Sequence, residues 1–311
     1  MKAPPVFRFA PSPNGRLHLG HARSALLNAA LAESAGGRLL LRIEDIDPVR
    51  SRPELIAALR DDLAWLGLRF SPPERRQSAH LETYRRQVDG FAARGLAYPC
   101  FCSRGTIAAA VAADTARSGQ PAPRDPDGAP LYPGLCRHLP PGEAAARRAA
   151  GEPHTWRLDM ARALAAAPGP HTITHVAVET VPREGAPAGE GRGPGYRIGP
   201  EHRETADPAR WGDPVIARRD VPTSYHLAVV MDDADQGITH VVRGADLRAS
   251  TDLHVLLQAL IGVPAPRYHH HALVLDSSGE KLAKSRHSPS LADLRAAGES
   301  AAGIRRSLGF S

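Results

Sequence analysis

The first third of the chain alternates short apolar segments with longer amphipathic ones, and this alternation restricts the fold more than any other feature. Residues 6–10 and 38–43 predict strands, whereas residues 22–35 and 81–93 carry apolar side chains at helical spacing. Ser51-Arg-Pro-Glu54 has the form of a capping box with proline in the first turn, so another helix is predicted to begin there. Strands that alternate with helices favour a parallel, doubly wound sheet. The expected fold class is α/β.

The remaining two thirds continue the alternation with longer connections. Strands are predicted over residues 171–179, 224–231, 238–242 and 271–275, and helices over residues 251–261, 291–297 and 301–308. Residues 111–130 and 183–201 are rich in small residues, glycine or proline, so both are predicted to be loops. No apolar run reaches the roughly 18 residues that a membrane-spanning helix needs, so no membrane span is expected.

A glycine- and proline-rich turn joins the first strand to the first helix. Its sequence is Pro11-Ser-Pro-Asn-Gly-Arg-Leu-His-Leu-Gly-His21. A strand, such a turn and a helix N-terminus form the phosphate-binding corner of many α/β folds. Gly15 and Gly20 allow the close approach of a ligand, and His18 and His21 supply ring nitrogens. On this motif alone, a nucleotide site and an ordinary surface turn are both open.

Lysine is scarce, and two of the few lysines lie together. Among 39 basic residues, only Lys2, Lys281 and Lys284 are lysines. A compact ammonium group on a flexible stem suits a moving polyphosphate, so Lys281-Leu-Ala-Lys-Ser285 is a candidate phosphate-binding loop. The alternative is that both lysines are ordinary solvated residues.

The two motifs together resemble the signature motifs with which class I aminoacyl-tRNA synthetases bind ATP. Residues 8–21, 41–48, 225–233 and 238–246 resemble the glutamyl and glutaminyl branch of that family, and the resemblance covers nearly the whole chain. It implies a Rossmann-like, doubly wound parallel sheet and ATP-dependent activation of glutamate. We therefore expect a ligase of the aminoacyl-tRNA synthetase type.

The resemblance assigns roles residue by residue. The catalytic groups that it implies are His18, His21, Lys281 and Lys284, and the ATP contacts are His18, Gly20, His21 and Lys284, with Mg²⁺ accompanying ATP. The glutamate contacts that it implies are Arg8, Phe9, Ala10, Pro11, Ser12, Glu44, Tyr225 and Arg243. A glutamate pocket needs a cation for the side-chain carboxylate and an anion for the ammonium group. We expect Arg8 or Arg243 to bind the side chain and Glu44 to bind the ammonium.

The three cysteines of the chain form a candidate metal site. Cys100-x-Cys102 followed by Cys136 suggests thiolate ligation of one structural zinc ion per chain. His138 is the fourth ligand on metal preference alone, whereas Tyr132 matches the spacing found in a smaller relative of the resembling family. Tyr132 is favoured. The alternative is three buried free cysteines.

The resemblance divides the chain into five parts. Residues 1–97 and 216–285 are expected to form the two halves of the catalytic domain, residues 98–138 the zinc-binding insert, residues 139–215 an acceptor-side insert with a Gly/Pro-rich loop, and residues 286–311 a short helical tail. Only 26 residues follow Ser285. Full-length glutamyl-tRNA synthetases continue there into a domain that reads the anticodon.

This shortened architecture resembles the branch of the family that glutamylates queuosine, the modified wobble base of tRNA(Asp). The expected partners are L-glutamate, ATP and the anticodon stem-loop of queuosine-containing tRNA(Asp), bound by a monomer. A net charge of +6 fits a polyanionic partner. Three cysteines cannot form a disulfide framework and the N-terminus lacks an apolar signal core, so a cytoplasmic location is expected. The alternatives are a shortened synthetase that charges a tRNA 3′ end and a catalytically silent zinc-containing RNA-binding module.

Overall fold

The computed structural model describes residues 3–182, 194–276 and 288–310. The strands are β1 (Val6–Phe9), β2 (Arg38–Ile43), β3 (Ser71–Arg76), β4 (Ala97–Cys100), β5 (Thr155–Leu158), β6 (Thr172–Val181), β7 (Gly195–Thr205), β8 (Val215–Ala217), β9 (His240–Gly244) and β10 (Arg267–His271). The helices are α1 (Leu19–Ser34), α2 (Pro53–Trp65), α3 (Leu81–Ala93), α4 (Arg104–Ser118), α5 (Pro141–Ala149), α6 (Met160–Ala166), α7 (Tyr225–Asp235), α8 (Ser250–Ile261), α9 (Leu291–Ala296) and α10 (Ala301–Ser307). Within these described ranges, every helix is too short or too polar to span a bilayer.

Seven strands form the main sheet in the order β3-β2-β1-β9-β10-β6-β7. Neighbouring strands are parallel from β3 to β6, and β7 pairs with β6 in the antiparallel sense. Leu39 and Leu41 on β2 pack into the core formed with α1 and α2, whereas Leu40 packs with Val255 of α8 in a separate core. Both faces of the sheet are therefore covered, as parallel sheets require. The predicted Rossmann-like, doubly wound sheet is confirmed.

Three further strands form a small antiparallel sheet in the order β4-β5-β8. Strand β4 ends at Cys100, so this sheet supports one end of the cysteine-containing segment. The expected division of the chain after residues 97, 138, 215 and 285 stays a prediction.

The main sheet reverses its strand order at β1. The chain passes from β1 through α1 to β2 on one side, and β9 pairs with β1 on the other side. In open α/β sheets, ligands bind in the crevice beyond the carboxyl ends of the strands at such a reversal. A backbone hydrogen bond of 3.0 Å from Glu44 N to Pro11 O holds the turn after β1 against the end of β2. The turn singled out in the sequence therefore lies at the crevice.

The prediction of a strand over residues 224–231 is wrong, because this segment begins helix α7. The Ser224 side chain caps the helix and accepts a hydrogen bond of 3.4 Å from Leu227 N. A short apolar run does not separate a strand from a buried helix by periodicity, and the serine cap was the missed signal. Tyr225 consequently lies in the first turn of a helix rather than at the start of a strand.

Both loop predictions are too broad. In residues 111–130, helix α4 continues to Ser118 and ends at Gly119, whose φ of 68° suits glycine. The high helix propensity of the alanines outweighs the small-residue composition. Of residues 183–201, residues 183–193 lie outside the described part of the chain, whereas the stretch from Gly195 onward belongs to β7. Pairing with β6 overrides the local preference of glycine for turns.

Two element boundaries also differ from the predictions. The predicted strand over residues 271–275 is misplaced, because β10 covers Arg267–His271 and shares only His271 with it. The predicted capping box at Ser51 does not form, because Arg52 is the N-cap of α2 and makes no capping hydrogen bond through its side chain. Pro53 nevertheless begins the helix, since its fixed φ angle already suits the first turn.

Candidate functional site

A cavity of about 830 Å³ opens at the carboxyl ends of β1, β2 and β9. Cavities of this size hold small-molecule ligands and cofactors. The predicted site residues that line it are Arg8, Phe9, Ala10, Pro11, Ser12, His18, Gly20, His21, Glu44, Tyr225 and Arg243. The fold thus brings every predicted glutamate contact into one cavity with the first ATP motif. Lys281 and Lys284 lie outside the described residues.

His18 and His21 shape the N-terminus of α1 at this cavity. The His18 ring accepts a hydrogen bond of 3.1 Å from Gly20 N, and His21 Nδ1 accepts one of 3.1 Å from His18 N. A Cβ atom on Gly20 would lie 2.9 Å from His18 Cε1, so this ring position requires glycine. The backbone N–H groups and the dipole of a helix N-terminus favour an anion such as a phosphate group.

Arg243 lies near the end of β9 and is 5% exposed. Its Nη2 donates to Thr251 Oγ1 at 2.8 Å, and its Nη1 lies 3.3 Å from His254 Nδ1. Its Nε donates to His270 Nε2 at 3.3 Å, and Nη1 also lies 3.5 Å from the Tyr225 hydroxyl. These partners are hydroxyl or imidazole groups. Within the described ranges, no carboxylate forms an ion pair with Arg243.

The imidazoles around Arg243 are neutral near pH 7. Burial, together with the guanidinium of Arg243, holds the pKa of His254 well below its ordinary value. The same two causes lower the pKa of His270 to about 2 and that of His226 to about 4. Because a buried charge without a counter-ion is costly, this arginine marks a position where an anion would bind favourably.

Arg8 differs from Arg243 because it already has a carboxylate partner. Its Nε donates to Asp233 Oδ1 at 3.1 Å, and the same oxygen accepts a hydrogen bond of 2.7 Å from Arg42 Nη1. Asp232 Oδ2 lies 3.8 Å from Arg42 Nε. These ion pairs engage both aspartates behind the cavity, so Arg8 contributes less unpaired positive charge to the cavity than Arg243 does.

Glu44 faces the cavity directly after β2. The residue is 9% exposed, and its Oε1 lies 3.4 Å from Arg42 Nη2. Burial raises the pKa of Glu44 to about 7, although the charges of Arg42 and Arg8 partly offset this effect. A further cation inside the cavity would stabilise the ionised carboxylate. Glu44 is therefore suited to receive an ammonium group.

Sequence reasoning missed several polar residues of the cavity. Asp47 and Arg218 both line it and form an ion pair of 3.1 Å. Asp47 follows β2 and Arg218 follows β8, so a position just beyond a strand was the available signal. Thr251 and His254, which hold Arg243, lie on the buried face of α8 and carry no sequence signal that separates them from ordinary core positions.

The three cysteines converge on a single point. Their sulfur atoms all lie within 4.8 Å of one another, with Cys102 Sγ 3.4 Å from Cys136 Sγ. The Tyr132 hydroxyl oxygen lies 3.3 Å from Cys100 Sγ and 3.6 Å from Cys102 Sγ, and it accepts a hydrogen bond of 2.8 Å from Cys136 N. His138 is exposed.

This donor set fits a metal ion. Tetrahedral sites with metal–sulfur bonds of about 2.3 Å place their sulfur atoms about 3.8 Å apart. The sulfur spacing of the cluster is compatible with that distance, and the phenol oxygen of Tyr132 completes a group of four donor atoms. The three cysteines could therefore hold a metal ion, and Tyr132 is better situated than His138 to be its fourth ligand.

Comparisons with known proteins agree with the fold and the site. Residues 6–178 and 201–302 match the family described as tRNA synthetases class I (E and Q), catalytic domain. A glutamyl-Q tRNA(Asp) synthetase from Rhodobacter capsulatus is 45% identical over 308 residues, which are 98% of this chain and 100% of that protein. A protein named glutamate–tRNA ligase 2 from Nitrosococcus oceani is 36% identical over 299 residues, which are 94% of this chain and 56% of that protein.

The solved structures show the same relationship. A glutamate tRNA ligase from Elizabethkingia meningosepticum, crystallised with its amino acid, superposes with a TM-score of 0.67 at 27% identity. The match covers 91% of this chain and 52% of that ligase, so this chain spans about half of the ligase's length. The chain belongs to the catalytic-domain family of the class I tRNA synthetases for glutamate and glutamine, which are ligases of the aminoacyl-tRNA synthetase type.

Proposed function

We propose that this member of the class I synthetase family activates L-glutamate with ATP and transfers the glutamyl group to queuosine, the wobble base of tRNA(Asp). The observation that carries the glutamate assignment is the buried Arg243, which has no carboxylate partner among the described residues and lies in the same cavity as Glu44. The queuosine acceptor is supported by the Rhodobacter capsulatus relative, whose name states this reaction and whose whole length is matched.

Each charge of glutamate has a complementary group in the proposed complex. The side-chain carboxylate binds Arg243, whose planar guanidinium suits a carboxylate. The ammonium group binds Glu44, and residues 9–12 of the first turn contact the body of the substrate. Glutamine has a neutral side chain, so it would leave the charge of Arg243 buried without a counter-ion.

Activation needs little acid–base chemistry. One oxygen of the α-carboxylate attacks the α-phosphorus of ATP, the bond from that phosphorus to the bridging oxygen breaks, and pyrophosphate leaves. Positioning and charge stabilisation dominate transfers of this type. In the proposal, His18, Gly20 and His21 bind the triphosphate at the N-terminus of α1. Lys281 and Lys284 would neutralise the leaving pyrophosphate, and Mg²⁺ that accompanies ATP would supply further positive charge.

The second step forms an ester on the tRNA. A hydroxyl group on the cyclopentene ring of queuosine attacks the carbonyl carbon of glutamyl-adenylate and loses its proton, and AMP leaves. The net charge of +6 favours the approach of a polyanionic tRNA. We further propose that the protein acts as a monomer, which light scattering of the tRNA complex would check.

The cysteine cluster has a structural role in this proposal. Cys100, Cys102, Tyr132 and Cys136 would hold one zinc ion in a closed four-ligand site. Bound zinc would crosslink the two ends of the segment between β4 and α5. Cys100 and Cys102 lie at one end of this segment, and Tyr132 and Cys136 lie at the other. A site filled by four protein ligands would leave no open position for substrate, so the ion would take no part in activation.

The test is transfer of labelled glutamate to total tRNA from cells that make queuosine and from cells that do not. We expect label only on the queuosine-containing tRNA, and we expect it to survive nuclease removal of the 3′-terminal adenosine. Label on both tRNA pools that is lost with the 3′ end would refute the queuosine acceptor.

The alternative activity is the charging of a tRNA 3′ end. It is favoured by the similarity to the Nitrosococcus oceani protein named glutamate–tRNA ligase 2, although the match covers only 56% of that protein. A catalytically silent RNA-binding module is the other alternative. Glutamate-dependent exchange of pyrophosphate into ATP, measured without tRNA, would exclude it.

A further inference from the structure

A second cavity lies beside the first and shares a wall with it. It has a volume of about 500 Å³ and lies between α3, the segment that joins α5 to β5, and the segment after β8. Arg218 lines both cavities. A ligand that reaches from one cavity to the other would therefore pass this arginine.

Two guanidinium groups of the second cavity have no carboxylate partner in the parts of the chain that the structure describes. Arg148 lies over the Trp156 ring, with its Cζ 4.7 Å from the ring centroid. Arg219 Nη2 donates to two backbone oxygens, Phe101 O at 3.2 Å and Cys102 O at 2.7 Å. Arg148 and Arg219 are both exposed, so their charges are available to an anion entering the cavity.

The acidic residues of this cavity are largely engaged with other arginines. Glu152 accepts hydrogen bonds from Arg147, and the one that Arg147 Nε donates is 2.7 Å long. Asp220 lies 3.1 Å from Arg218. Glu152 and Asp220 are thus paired in place. Besides the hydrogen bonds from Arg147, the charge of Arg219 also helps to lower the pKa of Glu152. The third acidic lining residue, Asp89, is exposed and forms no ion pair within the described ranges.

The cavity also has a flat aromatic surface. Trp156 is half-buried on β5, and the His154 ring meets it edge-on with the two centroids 5.6 Å apart. Unstacked RNA bases bind to aromatic rings and to the planes of arginine guanidinium groups. Because Arg148 lies over the Trp156 ring, the two side chains form one stacked platform of guanidinium and aromatic ring, next to cations that suit a phosphate group.

We propose that the second cavity binds a nucleotide adjacent to the reacting one in the RNA loop, with its base against Trp156 and Arg148 and its phosphate near Arg219. This inference rests on the proposed function, because it needs a single-stranded RNA whose reacting base occupies the first cavity. Arg218, between the two cavities, lies where the connecting backbone would run.

The cavity is also tied to the cysteine cluster. Arg219 is held by the backbone of Phe101 and Cys102, and the Phe101 ring lies 5.4 Å from the His154 ring. A metal ion in the cluster would therefore stabilise the wall of the nucleotide site. This arrangement gives the cysteine-containing insert a direct role in RNA binding.

The test measures binding of a fluorescent anticodon stem-loop of tRNA(Asp) that carries queuosine at the wobble position. Two further loops have an abasic site directly before or directly after queuosine. With the unaltered protein, we expect one of the abasic loops to bind about tenfold more weakly or worse than the intact loop. Trp156→Ala should weaken binding of the intact loop by a similar factor, and Trp156→Phe should restore most of it.

The losses of binding free energy caused by Trp156→Ala and by the abasic site should not add together. Because the ring and the missing base are partners, Trp156→Ala should bind the critical abasic loop no more weakly than it binds the intact loop. Arg148→Gln should reduce the slope of log affinity against log salt concentration by about one. The control Arg117→Gln, at an exposed arginine of α4 paired with Asp114, should match the unaltered protein. Thermal melting checks that each variant is folded.

Several outcomes would overturn the inference. In the first, folded Trp156→Ala and Arg148→Gln bind the intact loop as tightly as the unaltered protein does. In the second, the losses of affinity caused by Trp156→Ala and by the abasic site multiply in full. In the third, the unaltered protein binds the intact and abasic loops equally well. Because binding is measured without glutamate or ATP, these outcomes are independent of the transfer assay. Transfer to queuosine with normal loop binding by Trp156→Ala would reject this inference alone, whereas absence of transfer would reject the proposed function.

Discussion

Arg243 lines the cavity and contacts the buried His254 behind it, with Arg243 Nη1 3.3 Å from His254 Nδ1. Burial and the neighbouring guanidinium hold the pKa of His254 well below its ordinary value, so the imidazole stays neutral. It orients the arginine without cancelling its charge. The contrast with Arg8, which is paired with Asp233, explains why only one of these two arginines offers its charge to a substrate.

Replacing Arg243 should remove glutamate recognition. We expect Arg243→Gln to raise the KM for glutamate in pyrophosphate exchange by about 100-fold or more, because a buried charge pair is lost. Arg243→Lys should recover little activity, since an ammonium group lacks the planar fork. Arg197→Gln is the matched control, because Arg197 is exposed on β7 and pairs with Glu179. An unchanged KM in Arg243→Gln would contradict the assignment.

Glutamate binding should depend on pH through Glu44. The pKa of Glu44 is raised to about 7 by burial, so the carboxyl is increasingly protonated below pH 7 and cannot pair with an ammonium group. We expect the apparent affinity for glutamate to fall by up to about tenfold per pH unit between pH 7 and pH 5. Calorimetric titrations at several pH values measure this slope. A flat profile in the unaltered protein would show that Glu44 does not bind the ammonium.

Glu44→Gln should stabilise the free protein while it abolishes binding. The folded-state pKa is raised from 4.5 to about 7, so the folded state holds the proton more tightly than the unfolded state. The cost of burying the charge is therefore complete above pH 7 and vanishes as pH falls toward 4.5. We expect a gain of about 1–3 kcal/mol in the free energy of unfolding at pH 8 and almost none at pH 4.5. Urea melts at both pH values measure the difference in the free energy of unfolding between Glu44→Gln and the unaltered protein. A difference that is the same at both pH values would contradict a raised pKa of Glu44 in the folded state.

Gly20→Ala should disrupt the ATP corner. The added Cβ would lie 2.9 Å from His18 Cε1, so the ring must leave its position over Gly20 N. We expect kcat for pyrophosphate exchange to fall by about tenfold or more, with a small change in the KM for glutamate. Gly90→Ala is the matched control, because nothing lies within 4 Å of its added Cβ in helix α3. Equal kinetics for the two variants would contradict this role of His18.

Metal content should distinguish the two candidate fourth ligands. We expect about one zinc ion per chain in the purified protein by atomic absorption, and loss of most of it in Cys136→Ser. Tyr132→Phe should speed the release of zinc to a chelator, since the phenol oxygen lies among the sulfur atoms. His138→Ala should release zinc at the unaltered rate, because His138 is exposed. The reverse pattern would assign the site to His138.

The first turn and the α1 helix could be predicted from sequence because their geometry depends on near neighbours. Glycine, proline and a capping side chain act within a few residues, so the turn from Pro11 to His21 is encoded where it stands. The placement of Glu44 just after a strand was equally local. The parallel sheet then brought these segments to one edge, as the rule for open α/β sheets predicts.

Other elements could not be assigned from local sequence. The periodicity of the apolar run over residues 224–231 fits a strand or a helix equally well. The Ser224 cap is a local signal for the helix, but packing against the core decides the matter in favour of α7. The glycine- and proline-rich stretch from Gly195 is a strand only because β6 supplies its hydrogen-bond partners. In both cases the deciding contacts come from residues distant in sequence.

The sequence by itself determined the class of fold, the glycine- and proline-rich turn after β1, most of the predicted residues that line the first cavity and the grouping of the three cysteines. Only the tertiary structure decided which arginine has no carboxylate partner within the described ranges, that Glu44 has a raised pKa, and that Tyr132 rather than His138 lies among the sulfur atoms. The reason is that charge pairing and loss of solvent depend on groups such as Arg8 and Asp233, which are 225 residues apart in the chain and 3.1 Å apart in the fold.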